Sequence, residues 1–211
     1  MTSPSPKLCE GGLYPILDVD AAVAHGWGPL DLARAWLDGG ARLVQLRAKW
    51  LGSGALLDLA EQLVALTGRY GGRLIVNDRA DVARMTGAAG VHVGQEDVPA
   101  AAARAIVGAD ALVGLSTHTA AQIDVALHQP ISYLAVGPVF GTSTKETGYA
   151  PVGLDLIRYA VAQGGTIPVV GIGGIDRQRA PEVLAAGAAA VAVISDLITG
   201  DPAARVRAYL V

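Results

Sequence analysis

The sequence predicts a single-domain (β/α)8 barrel, a TIM barrel of the α/β class, and three observations carry that expectation. Eight short apolar runs with strand character recur along the chain, alanine-rich stretches with helical spacing separate them, and polar residues gather at one end of the runs. Strands alternating with helices form a parallel sheet covered by helices. The number eight favours closure into a barrel over an open, doubly wound sheet.

The strand-like runs fall at 13–17, 43–47, 74–76, 90–93, 112–115, 133–136, 167–171 and 190–194. Between them, eight helical segments are expected. Leu56, Leu57, Leu59, Ala60, Leu63 and Val64 make one apolar stripe, and Val183, Leu184 and Ala188 belong to a shorter one. Ser53 reads as a helix start, and Asp97 before Val98-Pro99 reads as a cap ahead of a first-turn proline. Gly40, Gly90 and Gly187 suit helix ends or the turns that follow.

Composition sets the bounds. The 211 residues contain no linker or charge block, so residues 1–211 read as one domain, with 1–12 as a loose leader. No run approaches the roughly 20 apolar residues that a membrane helix needs, and the start has no signal-peptide pattern. A cytoplasmic protein is the resulting expectation, with no membrane partner. A net charge of −3 offers nucleic acid no general attraction. Cys9 is the single cysteine, so no internal disulfide forms, and it reads as incidental. Only Lys7, Lys49 and Lys145 are lysines, which draws attention to the two well inside the chain.

In a barrel the chemistry sits at the C-terminal ends of the strands. Alternation along the second strand puts Gln45, Arg47 and Lys49 on one face, toward the mouth, and Val44, Leu46 and Ala48 on the other. Two neighbouring cations repel unless an anion joins them, so anion binding is expected there. Asp78 and Asp97, on adjacent strand ends beside that pair, suit Mg²⁺ bound to a substrate's phosphates. Each could instead cap a helix. Gly173-Gly174 after the seventh strand and Ser195 after the eighth stand where barrels build phosphate sites from backbone N–H groups. Asp176 reads as a cap. The glycine-hinged polar loop 137–148 reads as a lid. His92 is expected to pack rather than act as a base, His25 and His128 to lie on the surface, and His118 is left open. Trp27, Trp36 and Trp50 read as packing residues. No Ser-His-Asp order and no zinc spacing is present.

Taken together, VQLRAK, IVNDRADVA, GVHVGQED, GLSTHT, GPVFGTSTKET, VVGIGGI and AVAVIS resemble, in order and spacing, the thiamine phosphate synthase family. The resemblance runs from the second strand to the eighth. It implies a transferase with two small phosphorylated substrates, joining hydroxymethylpyrimidine diphosphate to thiazole phosphate with release of pyrophosphate. Gln45, Arg47, Lys49, Asn77 and Lys145 would hold the pyrimidine diphosphate, Asp78 and Asp97 would hold Mg²⁺, and Ser116 would sit beside the pyrimidine and leaving group. Thr142, Thr144, Gly174, Ile194 and Ser195 would serve the thiazole phosphate. Ser116, Lys145 and Arg47 are the implied catalytic groups. Gly141 departs from the family, which often has proline there, and implies a looser lid. The first strand matches weakly and carries no implied site. A thiazole tautomerase would want a base, for which His118 is the candidate, and not the acidic pair with the basic residues. A non-catalytic sensor of phosphorylated ligands would bind without turnover. Assembly into a homo-oligomer is left open.

Overall fold

The computed structural model describes residues 8–141 and 148–210. Its strands are β1 (Leu13–Asp18), β2 (Leu43–Arg47), β3 (Arg73–Asn77), β4 (Gly90–Val93), β5 (Leu112–Thr117), β6 (Tyr133–Val136), β7 (Val169–Ile172) and β8 (Ala190–Val193). All neighbours pair in parallel, and β1 closes on β8, giving a closed barrel in chain order. The helices are α1 (Val19–Ala24), α2 (Pro29–Asp38), α3 (Ser53–Arg69), α4 (Ala80–Thr86), α5 (Ala100–Val107), α6 (Ala120–Ala126), α7 (Gly153–Gly164), α8 (Ala180–Ala185) and α9 (Pro202–Tyr209). The described residues thus hold nine helices rather than the expected eight. The first crossover is divided, with Gly26 at φ 80° in the break between α1 and α2. None of these helices is long and apolar enough to cross a membrane.

Strand alternation sorts the core into two layers. Val44, Leu46, Leu74, Val76, Val91, Val93 and Val191 face the helices in the larger apolar cluster. Tyr14, Ile16, Leu43, Ile75, Tyr133, Ala135, Val170, Ala190 and Ala192 fill the barrel interior. Trp36 is fully buried in the outer layer and its indole N–H donates to the Leu197 carbonyl at 2.9 Å. Trp27 is half-buried, donating to the Ile198 carbonyl at 3.2 Å. Trp50 overturns its packing assignment: it is 86% exposed, on the loop after β2.

Several local expectations change. Ser53 is already helical, with Gly52 at the N-cap. Asp97 does not cap α5, whose N-cap is Pro99. Ala188 lies beyond α8, though buried. Asp176 accepts from the Gln178 and Arg179 amides at 3.0 and 2.9 Å, capping the turn that leads into α8. At the N-terminal end of the barrel, residues 8–12 are placed rather than loose: Leu8 is buried, and Arg73 donates to its carbonyl at 2.6 Å. Burial beside it pushes the Cys9 thiol up to about 11, which suppresses the thiolate.

Gly40 and Gly187 have φ of 107° and 102°, as helix-exit glycines should. Gly90 does not. It starts β4, and a Cβ there would lie 2.1 Å from the Leu112 carbonyl oxygen of β5. The glycine therefore permits strand approach, not a turn. Gly90→Ala should lower unfolding stability by about 1–3 kcal/mol through forced strand separation. Urea denaturation reads this, and an unchanged midpoint would show that the barrel absorbs the methyl group without cost.

Candidate active site

The C-terminal mouth divides into two halves of different chemistry. The β1–β4 half is charged. Asp18 ends β1 almost fully buried, caps α1 by accepting from the Ala21 amide at 3.0 Å, and ion-pairs with Arg47 at the end of β2. Lys49 ion-pairs with Asp78. Asp78 follows β3 in a left-handed conformation, φ 63°, and its N–H donates to the His92 carbonyl at 2.7 Å. Such a conformation in a non-glycine residue is sparsely populated and tends to occur where geometry matters. The Asp78 side chain does not cap α4, whose N-cap is Arg79. Burial raises its carboxyl above the ordinary carboxylate range, a hydrogen bond with Asp97 adds to the rise, and Lys49 opposes it. Asp97 in turn accepts from the Gly94 amide at 2.8 Å.

These contacts correct the expectation for the two cations. Arg47 and Lys49 do not await an anion to relieve their repulsion, because each already has a carboxylate. Asp18, on the strand given no site, is the residue that sequence reasoning missed. Its only signal was its place after an alternating inward-facing run.

Two carboxylates in hydrogen-bonding contact, with one pKa raised, are a donor set that a hard divalent cation fits, since it removes the repulsion that the shared proton otherwise relieves. No group of three or more His, Cys, Asp or Glu is placed to hold a metal among the described residues. Two carboxylates suffice where phosphate oxygens and water complete the shell.

The β5–β8 half is a cavity of about 400 Å³ whose lining includes Ser116, His118, Gly137, Ile172, Gly173, Gly174, Ile194 and Ser195. Gly173 and Gly174 have φ of 95° and 64°. A Cβ on Gly174 would meet the Gly141 carbonyl oxygen at 2.4 Å, and one on Gly173 would meet Pro138. The glycines therefore also let the base of the 137–148 loop pack down, with Val139 and Phe140 amides donating to the Ile172 and Gly173 carbonyls at 2.8 and 3.0 Å. Arg179 fastens the same corner, donating to the Gly174 carbonyl at 2.8 Å and lying over the Phe140 ring. Ser195 opens a short 3-10 turn after β8.

Ser116, on β5, lies where the halves meet. His92 is buried as expected, with Nε2 at 2.8 Å from the Ser116 hydroxyl and Nδ1 at 3.0 Å from the Tyr133 hydroxyl. His118 stacks on Tyr149 at 4.0 Å, and its Nδ1 meets the Gly137 carbonyl. Gln45 lies deeper than the mouth, buried and donating to the Tyr14 hydroxyl. Asn77 ends β3 half-buried. His25 and His128 are exposed. Thr142, Thr144 and Lys145 lie outside the described residues.

A family model described as thiamine monophosphate synthase matches residues 13–197, most of the barrel. The chain belongs to the thiamine monophosphate synthase family. Among its relatives, a putative thiamine-phosphate synthase of Geobacter sulfurreducens is 43% identical, over 92% of this chain and 91% of that protein. The thiamine biosynthesis bifunctional protein ThiM/ThiE of Symbiobacterium thermophilum is 45% identical over 89% of this chain, which spans 39% of that longer protein. The thiamine phosphate pyrophosphorylase structure from Pyrococcus furiosus superposes with a TM-score of 0.84 at 31% identity, covering 93% of this chain and 92% of that one.

The ion pair particular to this mouth gives a test. Asp18→Asn keeps an N-cap but strands Arg47, and should cost about 1–3 kcal/mol, less than a fully buried pair would because Arg47 is partly exposed. Asp18→Ala should lose about 1 kcal/mol more with the cap. Inorganic diphosphate should raise the melting temperature of Asp18→Asn more than that of the unsubstituted protein. Equal shifts would show that Arg47 does not meet the anion.

Proposed function

We propose that the chain is a thiamine phosphate synthase whose charged half-mouth takes hydroxymethylpyrimidine diphosphate and whose glycine-lined cavity takes thiazole phosphate. The single observation that carries this reading is the division of one mouth into two halves meeting at Ser116. A two-substrate condensation needs two anion sites facing one reacting gap. A tautomerase needs one and has no use for the Asp78–Asp97 pair.

The chemistry follows from the residues present. The C–O bond to diphosphate breaks, the diphosphate keeps the electron pair, and positive charge builds on the pyrimidine methylene, fed by the ring's amino group. The thiazole nitrogen lone pair then forms the C–N bond, and no proton need move. Neither a nucleophile nor a strong base is therefore required. The protein's work is charge neutralisation and alignment. Arg47 and Lys49 can exchange their carboxylate partners for diphosphate oxygens, Ser116 lies between the substrates, and Ile194 lines the gap between the rings. Backbone N–H groups near Gly174 and Ser195, both of which line the cavity, would hold the thiazole phosphate. By family resemblance Asn77 and Lys145 also hold the pyrimidine diphosphate, with Gln45 beneath it in the barrel, and Thr142 and Thr144 join the phosphate site.

Asp78 and Asp97 would hold Mg²⁺, which would neutralise diphosphate oxygens when bound. The charge balance supports this. Among the described residues Arg47 and Lys49 face three carboxyl groups, Asp18, Asp78 and Asp97, so with all five ionised the negative charges would outnumber the positive and repel a diphosphate. One uncompensated charge at about 4 Å is worth roughly 4 kcal/mol at an effective dielectric near 20, about a thousandfold in rate.

The decisive experiment supplies both substrates with Mg²⁺ and looks for thiamine monophosphate and pyrophosphate. Ligand binding without either product would favour a sensor instead.

The metal reading has its own pH signature. Because the Asp78 carboxyl is raised in the folded protein, its contribution to stability is complete below the unfolded value, roughly 3.9, and is lost as pH rises through the folded value. Without divalent cations, Asp78→Asn, which tolerates the left-handed backbone, should therefore gain stability relative to the unsubstituted protein as pH rises toward neutral. Mg²⁺ at neutral pH should raise the melting temperature of the unsubstituted protein and leave Asp78→Asn unmoved. A Mg²⁺ shift that survives the substitution would remove Asp78 from the site.

The two anion sites separate by mutation. Ser195→Asp should raise KM for thiazole phosphate strongly through like-charge repulsion, whereas Arg47→Ala should impair use of the pyrimidine diphosphate. Equal damage to both substrates by both variants would mean one shared anion site.

A further inference from the structure

The barrel interior holds a continuous line of polar side chains that ends in the cavity. Gln45 Nε2 donates to the Tyr14 hydroxyl at 2.9 Å, and the Tyr14 and Tyr133 hydroxyls are 2.9 Å apart. The Tyr133 hydroxyl is 3.0 Å from His92 Nδ1, and His92 Nε2 is 2.8 Å from Ser116 Oγ. The chain thus crosses the barrel from β2 through β1, β6 and β4 to β5. Both tyrosines are buried, and burial pushes both hydroxyls up, so neither ionises near neutral pH.

The proton order along such a line is not free. The Tyr14 oxygen accepts from Gln45, so among the described residues its own proton finds its acceptor at Tyr133. Tyr133 must then donate to His92 Nδ1, which leaves the imidazole proton on Nε2, where it meets Ser116. Any single reversal would bury a donor against a donor, at a cost comparable to an unmade hydrogen bond. Ser116 Oγ is thereby fixed as an acceptor on its barrel side, and its hydroxyl proton points toward the cavity that it lines.

From this we infer that Gln45, Tyr14, Tyr133 and His92 are positioning residues that lock the His92 tautomer and hold the Ser116 hydroxyl as a hydrogen-bond donor toward an anionic or electron-rich ligand atom in the cavity. On the proposed function, which this inference deepens, that atom belongs to the departing diphosphate or the pyrimidine ring. Packing alone would not require His92 and two tyrosines in one line; four aliphatic side chains would fill a barrel interior with no polar groups to satisfy.

The test separates proton order from activity. ¹⁵N NMR of histidine-labelled protein without substrates, with His92→Gln to assign the signals, should show a neutral His92 ring protonated on Nε2. A lone proton on Nδ1 would mean that the Gln45 amide and the whole line run the other way, with Ser116 donating inward, and a ring protonated on both nitrogens would break the line at Tyr133; either result would overturn the inference. Tyr14→Phe should disturb the His92 ring signals and slow single-turnover diphosphate release about tenfold, the size of one charge-assisted hydrogen bond, with thiazole phosphate affinity unchanged. His92→Gln, which keeps an N–H near the Nε2 position, should retain more of that rate than His92→Leu. Equal rates in both His92 variants, or an unchanged rate in Tyr14→Phe, would reduce the line to packing. If the unsubstituted protein made no thiamine monophosphate, the functional reading would fall while the ring signals still decided the proton order.

Discussion

Closure of the eight-stranded ring is the constraint from which the site follows. Once β1 pairs with β8, every strand is hydrogen-bonded on both sides, and alternation sends each second residue into a space of fixed width. A polar group in that space is shut off from bulk solvent, so what enters it is either apolar or completely partnered. Ile16, Leu43, Ile75 and Val170 meet the first condition. Gln45, Tyr14, Tyr133 and His92 meet the second, and no buried side-chain polar atom among the described residues lacks a partner. The same alternation, carried one step further along β1 and β2, delivers Asp18 and Arg47 to the rim as a pair.

Charge at the rim obeys a different rule, because solvent and ligand can reach it. A protein that held bare cations ready for a diphosphate would carry their repulsion through folding. Here Asp18 and Asp78 take up Arg47 and Lys49 instead, and Asp97 adds a third carboxyl group against Asp78. Cations thus compensated are oriented without being committed, and the excess of carboxylate is what a divalent metal would correct on the proposed reading. On the proposed reading the opposite half of the mouth meets its anion with backbone geometry instead, at Gly173 and Gly174, whose φ of 95° and 64° glycine adopts without strain.

Those two glycines also show how one residue type can answer two demands. Positive φ turns the backbone at the exit of β7, and the missing Cβ lets Pro138, Phe140 and Gly141 settle onto the turn. Arg179 then links the turn to the loop base through the Gly174 carbonyl and the Phe140 ring. The Gly173-Gly174 turn and the root of the 137–148 loop are therefore one structural unit.

What the sequence determined by itself was periodic. Strand positions, the inward set on β2 and the gathering of polar residues at one end all follow from alternation and from the rule that barrel chemistry sits at strand ends, and β2, β4 and β6 fall where the pattern puts them. Single-position signals were less secure, because one residue type serves several ends. Asp97 reads as a helix cap yet turns to Gly94 and Asp78, Gly90 reads as a turn yet makes room for β5, and Trp50 reads as core yet stands in solvent. Pairing across the barrel was decided only by the tertiary structure. Asp18 and Arg47 are 29 residues apart, and Tyr14 and Tyr133 are 119 apart. No local pattern encodes such contacts, because they exist only once closure brings the first strand against its neighbours and the interior is too narrow to leave either partner alone.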